Sequence, residues 1–123
     1  MKESLNYETI DSLYEYTNRL IPAVLNLSTK LRNIKDEDTM ELMKAAIEGI
    51  EWSFNAILLN MDFLRENNIV LDEGKIKTTL IEFSESLENK DLLLVSDILE
   101  YEIVEILNDV NRRVEPLLNK TNI

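Results

Sequence analysis

Cysteine and histidine are both absent from this sequence of 123 residues. Without cysteine, the chain can form no disulfide bond, no thiolate metal site and no thiol nucleophile. Without histidine, it lacks the commonest general base, the Ser-His pair of many hydrolases and the Glu-x-x-His motif of di-iron bundles. These two absences exclude most enzymes that are built on helical bundles. The lack of cysteine also fits a reducing compartment, so we expect a cytoplasmic protein.

Glycine and proline are scarce, with two of each, whereas strong helix formers such as leucine and glutamate dominate the composition. Because the turn and strand residues of a β protein are missing, the composition predicts an all-α fold. The length is typical of one domain, which we place at residues 1–123. No apolar run approaches the roughly 20 residues of a membrane span. We therefore expect a single helical domain without a membrane partner.

Acidic residues outnumber basic ones, 24 to 13, which gives a formal net charge of −11. Such a charge repels phosphate backbones and anionic lipids at long range, so we expect no nucleic acid as a partner. The acidity has three interpretations. It is typical of a solvated surface that keeps a helical protein soluble, of a protein with a basic partner, or of a protein that mimics nucleic acid.

Apolar side chains recur at three- and four-residue steps near the start of the chain and predict a helix from about Tyr7 to Arg32. Pro22 lies inside this helix, where it removes a hydrogen bond and clashes with the preceding turn. We therefore predict a kink or a short break near Leu20 and Ile21. The predicted core line of this helix is Ile10, Leu13, Thr17, Leu20, Val24, Leu27 and Leu31.

A polar turn at residues 33–38 separates this helix from the second one, which either Asp36 or Asp38 is expected to cap. The second helix is predicted to continue to Glu66. It should end at the two asparagines 67–68, because asparagine favours the left-handed conformations that terminate helices. We expect one continuous helix between these two polar boundaries.

Two further helices are predicted in the second half of the chain. The apolar run 69–71 is expected to cross over as a connection, Asp72 to cap the third helix, and residues 88–91 to form the next turn. The fourth helix should run from Leu92 to Asn119, with its last turn kinked or frayed by Pro116. Four amphipathic helices with short connections pack most simply as an antiparallel four-helix bundle.

The predicted second helix carries two apolar stripes. One stripe, which begins at Met40, is expected to form a normal core face. The other repeats at alternating three- and four-residue steps, which is the spacing of a coiled-coil seam. A helix that is apolar on two sides is either central in its own fold or docked on another chain. The second stripe consists of Leu42, Ala45, Gly49, Trp52, Ala56, Leu59 and Phe63.

We predict that this second stripe binds a protein partner, either a second copy of the chain in a homodimer or a helix of another protein. Ala45, Gly49 and Ala56 would let a neighbouring backbone approach closely, while Trp52 would fill the gap between them. The alternative is that the first helix, or the connection at 69–71, covers the stripe within the monomer.

Charged residues line one flank of the apolar face of the predicted fourth helix. Glu102, Asp109 and Arg113 share that flank when successive residues are placed about 100° apart around the helix axis. The simplest interpretation is an edge salt bridge, because Asp109 and Arg113 have the favourable acid-then-base spacing of a helix surface. The alternative is a polar hot spot for a partner, with Tyr101 nearby, since arginine and tyrosine are favoured at such sites.

Acidic residues spaced three apart raise the hypothesis of a Mg²⁺ site, because a hard cation needs only oxygen ligands. Helical pyrophosphatases that cleave nucleotides use Glu-x-x-Glu and Glu-x-x-Asp pairs on facing helices, and the candidate pairs for such a site are Glu48/Glu51 and Glu82/Glu85. Solvated helix faces produce the same spacing by gathering acids on one side. No glycine-rich phosphate loop accompanies the pairs.

Residues 97–102 read Asp-Ile-Leu-Glu-Tyr-Glu. The segment 89–103 that contains them resembles part of a family of small uncharacterised helical bacterial proteins, in which a Gly-Asp-Tyr turn leads into a helix with an Asp-x-Leu-Glu-Tyr-Glu motif. The start of the segment, Asn-Lys-Asp-Leu, departs from that turn. The resemblance brings no known activity, but it implies that the polar residues of the motif are more than surface filling. With the arginine of the flank above, the second candidate surface is Asp97, Glu100, Tyr101, Glu102 and Arg113.

Taken together, the sequence predicts a non-enzymatic protein-protein interaction module, chaperone-like or regulatory, which uses no cofactor, metal or small-molecule substrate. One alternative is a Mg²⁺-dependent hydrolase similar to nucleotide pyrophosphatases, which would use the paired helical carboxylates. Another is an acidic mimic of nucleic acid.

Overall fold

The computed structural model describes residues 2–33 and 37–118, and all of its regular structure is helical. No β-strand occurs within these ranges, so the predicted all-α class is confirmed. In chain order the elements are α1 (Lys2–Asn33), α2 (Glu37–Leu59), α3 (Met61–Glu66), α4 (Glu73–Glu88), α5 (Leu92–Ile98), a π-helical turn (Leu99–Ile103) and α6 (Val104–Leu118).

Helix α1 runs without interruption through Pro22, so the break predicted near Leu20 is absent. Pro22 is exposed, and the backbone carbonyl that it leaves without an amide donor belongs to Asn18, which is also exposed. Water can satisfy a carbonyl in that position, and the helix is held by its opposite, apolar side. The predicted core line of α1 is buried at each of its seven positions, from Ile10 to Leu31.

The predicted second helix is divided into α2 and α3 by a turn at Asn60. The side-chain Nδ2 of Asn60 donates to the carbonyl of Ala56 at 2.7 Å, and its Oδ1 accepts from Asn6 of α1 at 2.6 Å. A buried asparagine with these bonds competes with the helical backbone, which explains the interruption. Asp38 lies inside α2 rather than at its cap, while Asp36 falls outside the described residues.

The ends of α3 and α4 follow local turn chemistry. Asn68 has a φ of 65°, and the amide of Ile69 donates to the carbonyl of Leu64 at 2.8 Å, as in a Schellman ending. The predicted cap of the next helix is confirmed, because Asp72 accepts a hydrogen bond from the amide of Lys75 at 3.0 Å. These contacts fix where the connection between α3 and α4 begins and ends.

The helix predicted from Leu92 onward is interrupted by the π-helical turn, which a bond from the Val104 amide to the Leu99 carbonyl defines. In an α-helix each four-residue step overshoots a full turn by about 40°. A wider π turn removes part of this overshoot, so a line of side chains at four-residue steps keeps facing the core. That line is fully buried and consists of Val95, Leu99, Ile103 and Leu107.

Helix α1 packs against α2 on one side and against α5, the π turn and α6 on the other, while α4 packs against α5 and the π turn. Two buried polar contacts join α1 to the C-terminal helices. The Thr17 hydroxyl donates to Oδ1 of Asn111 at 2.8 Å, and the hydroxyls of Ser28 and Ser96 lie 3.0 Å apart. Later residues of α1 thus meet earlier residues of the C-terminal helices, so these two segments run in opposite directions.

Candidate functional site

The second apolar stripe separates into two parallel lines, each with a step of seven residues. The inner line is buried or half-buried, whereas the outer line is exposed. The inner line consists of Leu42, Gly49, Ala56 and Phe63. The outer line consists of Ala45, Trp52 and Leu59. The seven residues therefore do not form one continuous exposed surface.

Tyrosines of α1 cover the inner line. The Tyr16 side chain lies so close to Gly49 that a Cβ on this glycine would overlap the tyrosine hydroxyl. Phe63 packs edge-on against Tyr7, with ring centroids 5.3 Å apart and planes at 75°. Gly49, Ala56 and Phe63 are buried within the chain and cannot meet a partner in this fold, which corrects their assignment as contact residues.

The outer line remains open to solvent around Trp52. The indole of Trp52 packs edge-on against Tyr16, with centroids 5.4 Å apart, yet 46% of this tryptophan is exposed. Leu59 is 84% exposed. Single exposed apolar residues are ordinary on protein surfaces, but a tryptophan and a leucine two helical turns apart on one line are typical of a contact surface.

A shallow groove of about 450 Å³ lies between α1 and α2 beside Trp52. Gly49 lies beneath the Tyr16 side chain, and the walls of the groove include the rings of Tyr16 and Trp52, which pack against each other. Tyr16 was not among the predicted site residues. Its position gave a signal, since it lies three residues after Leu13 and four before Leu20, both on the buried line of α1. The lining residues of the groove are Tyr16, Ala45, Glu48, Gly49 and Trp52.

A third line of α2 and α3, also with a step of seven residues, borders the outer line, and its member Glu48 lines the groove. It is exposed at each position and carries three carboxylates and one amide. Lys44 and Glu51 are also exposed on α2, and their opposite charges cancel. The carboxylates of the third line therefore give the exposed surface of α2 and α3 a net negative charge. The line consists of Glu41, Glu48, Asn55 and Asp62.

Arg32 of α1 brings together part of the second candidate surface. Its guanidinium donates from Nη2 to Oδ1 of Asp97 at 2.8 Å and from Nη1 to Oε1 of Glu100 at 2.5 Å. The same guanidinium lies over the ring of Tyr101, with its carbon 5.7 Å from the ring centroid. These four residues form what we call the Arg32 cluster. Asp97, Glu100 and Tyr101 of the second candidate surface therefore lie together around Arg32.

The contacts within the Arg32 cluster change the pKa of Glu100 and that of Tyr101. Hydrogen bonds from Arg32, and then from Tyr101, hold the pKa of Glu100 below its usual range. The hydrogen bond to Glu100 raises the pKa of Tyr101. Ser28 also donates to Glu100, at 3.2 Å. Ser28 and Arg32 were not predicted as site residues, although a serine directly after Leu27 of the buried line, four residues before an arginine, was a usable signal.

Glu102 lies away from the Arg32 cluster, on the side of the π turn that faces α4. Burial raises its pKa first, and the nearby carboxylate of Glu82 raises it further, against a lowering effect of Lys75. A small hollow of about 170 Å³ is lined in part by Glu82, Glu85 and Glu102. Its placement corrects the expectation that Glu102 shares one surface with the other motif residues.

Arg113 belongs to a third location. Its Nε donates to Oδ1 of Asp109 at 3.3 Å, which confirms the predicted edge salt bridge. Its Nη1 donates to the carbonyl of Val70 at 2.9 Å. Arg113 therefore ties the connection before α4 to α6, and among the described residues its hydrogen bonds and ion pair reach Asp109 and Val70, not the Arg32 cluster.

The carboxylate pairs proposed as Mg²⁺ ligands lie in different places. Glu48 lines the groove beside Trp52, whereas Glu82 and Glu85 line the hollow that faces Glu102. Across the described ranges, no three acidic side chains converge in a way that could hold a metal ion. Among the same residues, no helix has both the length and the apolar character that crossing a bilayer requires.

A family model described as "Domain of unknown function (DUF8042)" matches residues 8–113. No curated protein and no solved structure matches the chain. The matched range includes the groove beside Trp52 and the whole Arg32 cluster.

Proposed function

The chain belongs to the family described as Domain of unknown function (DUF8042), and we propose that it is a non-enzymatic protein-protein interaction module. The proposed site is the outer line of α2, where a helix of a partner protein would lie along Ala45, Trp52 and Leu59. The observation that carries the proposal is the 46% exposure of Trp52 beside an open groove. A large aromatic residue at the centre of a surface line is the residue type that contributes most to protein interfaces.

The construction of the groove supports this proposal. Tyr16 and Trp52 hold each other edge-on, so the walls are rigid before any partner arrives. Because rigid walls lose little conformational entropy on binding, more of the contact energy remains as affinity. The open side of the groove, beside Ala45 and Trp52, is where an apolar side chain of a partner would insert.

The hydrolase alternative has weaker support. Its two carboxylate pairs lie on α2 and α4 in separate hollows, whereas a shared metal ion requires ligands that converge. The mimic of nucleic acid rests on the net charge of −11 alone. We retain the interaction module because it also accounts for the exposed apolar line.

We further propose that residues 1–123 form one domain and that this domain is an antiparallel four-helix bundle. In this bundle α2 and α3 together form one of the four helices, and α5, the π turn and α6 together form another. The opposite directions of α1 and the C-terminal helices support this arrangement. A cytoplasmic location is likewise our proposal, and the absence of cysteine supports it.

Site-specific photo-crosslinking in the native cells tests the interaction module. A photoreactive phenylalanine analogue would replace Leu59, and in a second variant Leu93, an exposed leucine on α5 that serves as the matched control. We expect a discrete adduct from position 59 only. A Trp52→Lys substitution in the same chain should abolish this adduct while circular dichroism shows an unchanged helix content. The same adducts from both positions, or none from position 59, would contradict the proposed site.

Light scattering over a concentration series distinguishes the two kinds of partner. If the partner is a second copy, the mass of the wild type doubles with concentration and the Leu59→Lys variant stays monomeric. If the partner is another protein, both remain monomeric at every concentration, and the adduct of position 59 has the mass of a heteromeric pair.

A further inference from the structure

We propose that the partner segment is a basic amphipathic helix and not a second copy of this chain. Its apolar side chains would repeat at heptad spacing and meet the outer line of α2, while lysine or arginine side chains on its flank would meet Glu41, Glu48 and Asp62. This inference rests on the interaction module proposed above and specifies the chemistry of its partner.

The seven-residue spacing of the outer line indicates that the partner segment is a helix with the same apolar repeat. Ala45, Trp52 and Leu59 follow one another at seven-residue steps, so a second helix can stay in contact with all three only if its own apolar residues keep the same period. The small side chain of Ala45 allows close approach at one end of the line. The groove that Tyr16, Ala45 and Trp52 help to line lies beside this outer line and can take one larger apolar side chain as a knob enters a hole.

The acidic residues beside the outer line indicate that the residues flanking the partner's apolar seam are basic. In paired helices, residues that border the apolar seam form the ion pairs that select the partner. The border here is the line that contains Glu41, Glu48 and Asp62, and Glu48 itself lines the groove. Among the described residues, Glu41 and Glu48 take part in no ion pair, so both carboxylates are available to cations of another chain. Asp62 pairs with Arg65 at 3.0 Å but is 92% exposed, so a cation of another chain can reach it as well.

The same charges disfavour a second copy. Each chain has a net charge of −11, and two copies docked through the outer line would bring two acidic borders together. Like charges on adjacent helices repel each other and reduce both the association rate and the affinity. A basic helix gains from the same field through electrostatic steering.

Trp52 provides a direct measurement, because it is the single tryptophan of the chain. The probe is a synthetic amphipathic peptide of about three heptads with leucine at its seam and lysine on its flanks, used below its own association concentration. The matched peptide has glutamate in place of each lysine. We expect the lysine peptide to shift the Trp52 emission to the blue in a saturable way, and the glutamate peptide to bind at least about tenfold more weakly at low salt.

A charge-reversal variant tests whether Glu48 contacts the basic flank of the peptide. Glu48→Lys should weaken binding of the lysine peptide about two- to fivefold, which is the range expected for one exposed ion pair. The matched variant Glu88→Lys makes the same charge change at the end of α4 and should leave the affinity unchanged. Higher salt should reduce the difference between the two peptides.

The outcomes separate this inference from the proposal beneath it. Equal binding of both peptides, or equal effects of the Glu48 and Glu88 substitutions, would overturn the basic partner and leave the interaction module intact. A wild-type dimer that Leu59→Lys dissociates would do the same in favour of a second copy. If neither peptide perturbs Trp52 the inference fails, and a missing adduct at position 59 would then remove the interaction module as well.

Discussion

Glu100 and Glu102 lie two residues apart in the π-helical turn, yet their surroundings are opposite. Glu100 faces α1, where Arg32 and Ser28 donate hydrogen bonds to it. Glu102 faces α4, where its neighbour is the carboxylate of Glu82. The pKa of Glu100 is lowered, whereas that of Glu102 is raised. The helix packed against each face therefore makes the main contribution to the difference in pKa between these two residues.

The two sides of the turn have different consequences for stability. On the α1 side, the Arg32 cluster stabilises a charged carboxylate and links α1 to the C-terminal helices. On the α4 side, the partly buried carboxylate of Glu102 opposes the packing of α4, because burial and a like charge both disfavour its ionised form. We expect this contrast to become smaller when either the arginine or the acidic neighbour is removed, since burial of Glu102 remains in both cases.

Arg32→Met should have the largest effect on this comparison. Methionine keeps much of the side chain's length but removes both ion pairs, which leaves Glu100, 27% exposed, without a cation. We expect the melting temperature at neutral pH to fall by about 3 to 6 °C, measured by circular dichroism. The matched control is Arg112→Met, which removes an exposed ion pair on α6 and should change the melting temperature by about 1 °C or less.

A double-mutant cycle provides the stricter check on the Arg32 cluster. If Arg32 acts through Glu100, the combination of Arg32→Met with Glu100→Gln should destabilise less than the sum of the two single substitutions. Strict additivity would show that the two side chains are not energetically coupled.

Glu102→Gln should have a smaller effect of the opposite sign. The neutral amide removes the burial cost of a charge and the repulsion from Glu82, so we expect a stabilisation of about 0.5 to 1 kcal/mol at neutral pH. Urea denaturation measures this difference. The control Glu105→Gln removes an exposed acid one turn further along and should be neutral within error. A loss of stability in Glu102→Gln would mean that the ionised carboxylate is favoured where it lies.

The pH dependence of the same variants should be the smallest but most specific effect. Because the folded state raises the pKa of Glu102, its penalty is present at neutral pH and disappears as pH falls through that raised pKa. Because the folded state lowers the pKa of Glu100, its stabilisation persists at neutral pH and is lost only below about 4.3, the usual glutamate value.

Urea denaturation at a series of pH values measures this order. As the pH falls, the higher free energy of unfolding of Glu102→Gln relative to the wild type should disappear first. The lower free energy of unfolding of Glu100→Gln should disappear at a lower pH. A reversed order would show that the two environments have been assigned to the wrong residues.

Much of the fold could be predicted because it depends on local periodicity. The buried line of α1, the cap at Asp72 and the left-handed Asn68 each follow from residues within about two helical turns of one another. The break at Asn60 could not be predicted in this way, since one of its hydrogen bonds comes from Asn6 of another helix. The break predicted at Pro22 does not occur, because the carbonyl left without a donor belongs to the exposed Asn18.

The candidate site was predicted only in part. The seven-residue step of the second stripe was visible, but which line would be covered depended on where Tyr7 and Tyr16 of α1 came to lie. Glu100 and Glu102 were likewise singled out from the sequence. Their different environments could not be predicted, because Arg32, which pairs with Glu100 only, lies far away in the sequence.

The sequence by itself determined that this protein is helical, that it lacks the side chains of most bundle enzymes, and which faces of its helices are apolar. These properties follow from composition and from the 3.6-residue period of the helix, which act over short distances along the chain. The tertiary structure alone decided which apolar line stays exposed beside Trp52 and which carboxylate gains a cation. Those outcomes depend on contacts between residues far apart in sequence, because a side chain's burial and charge balance are set by the helix that packs against it.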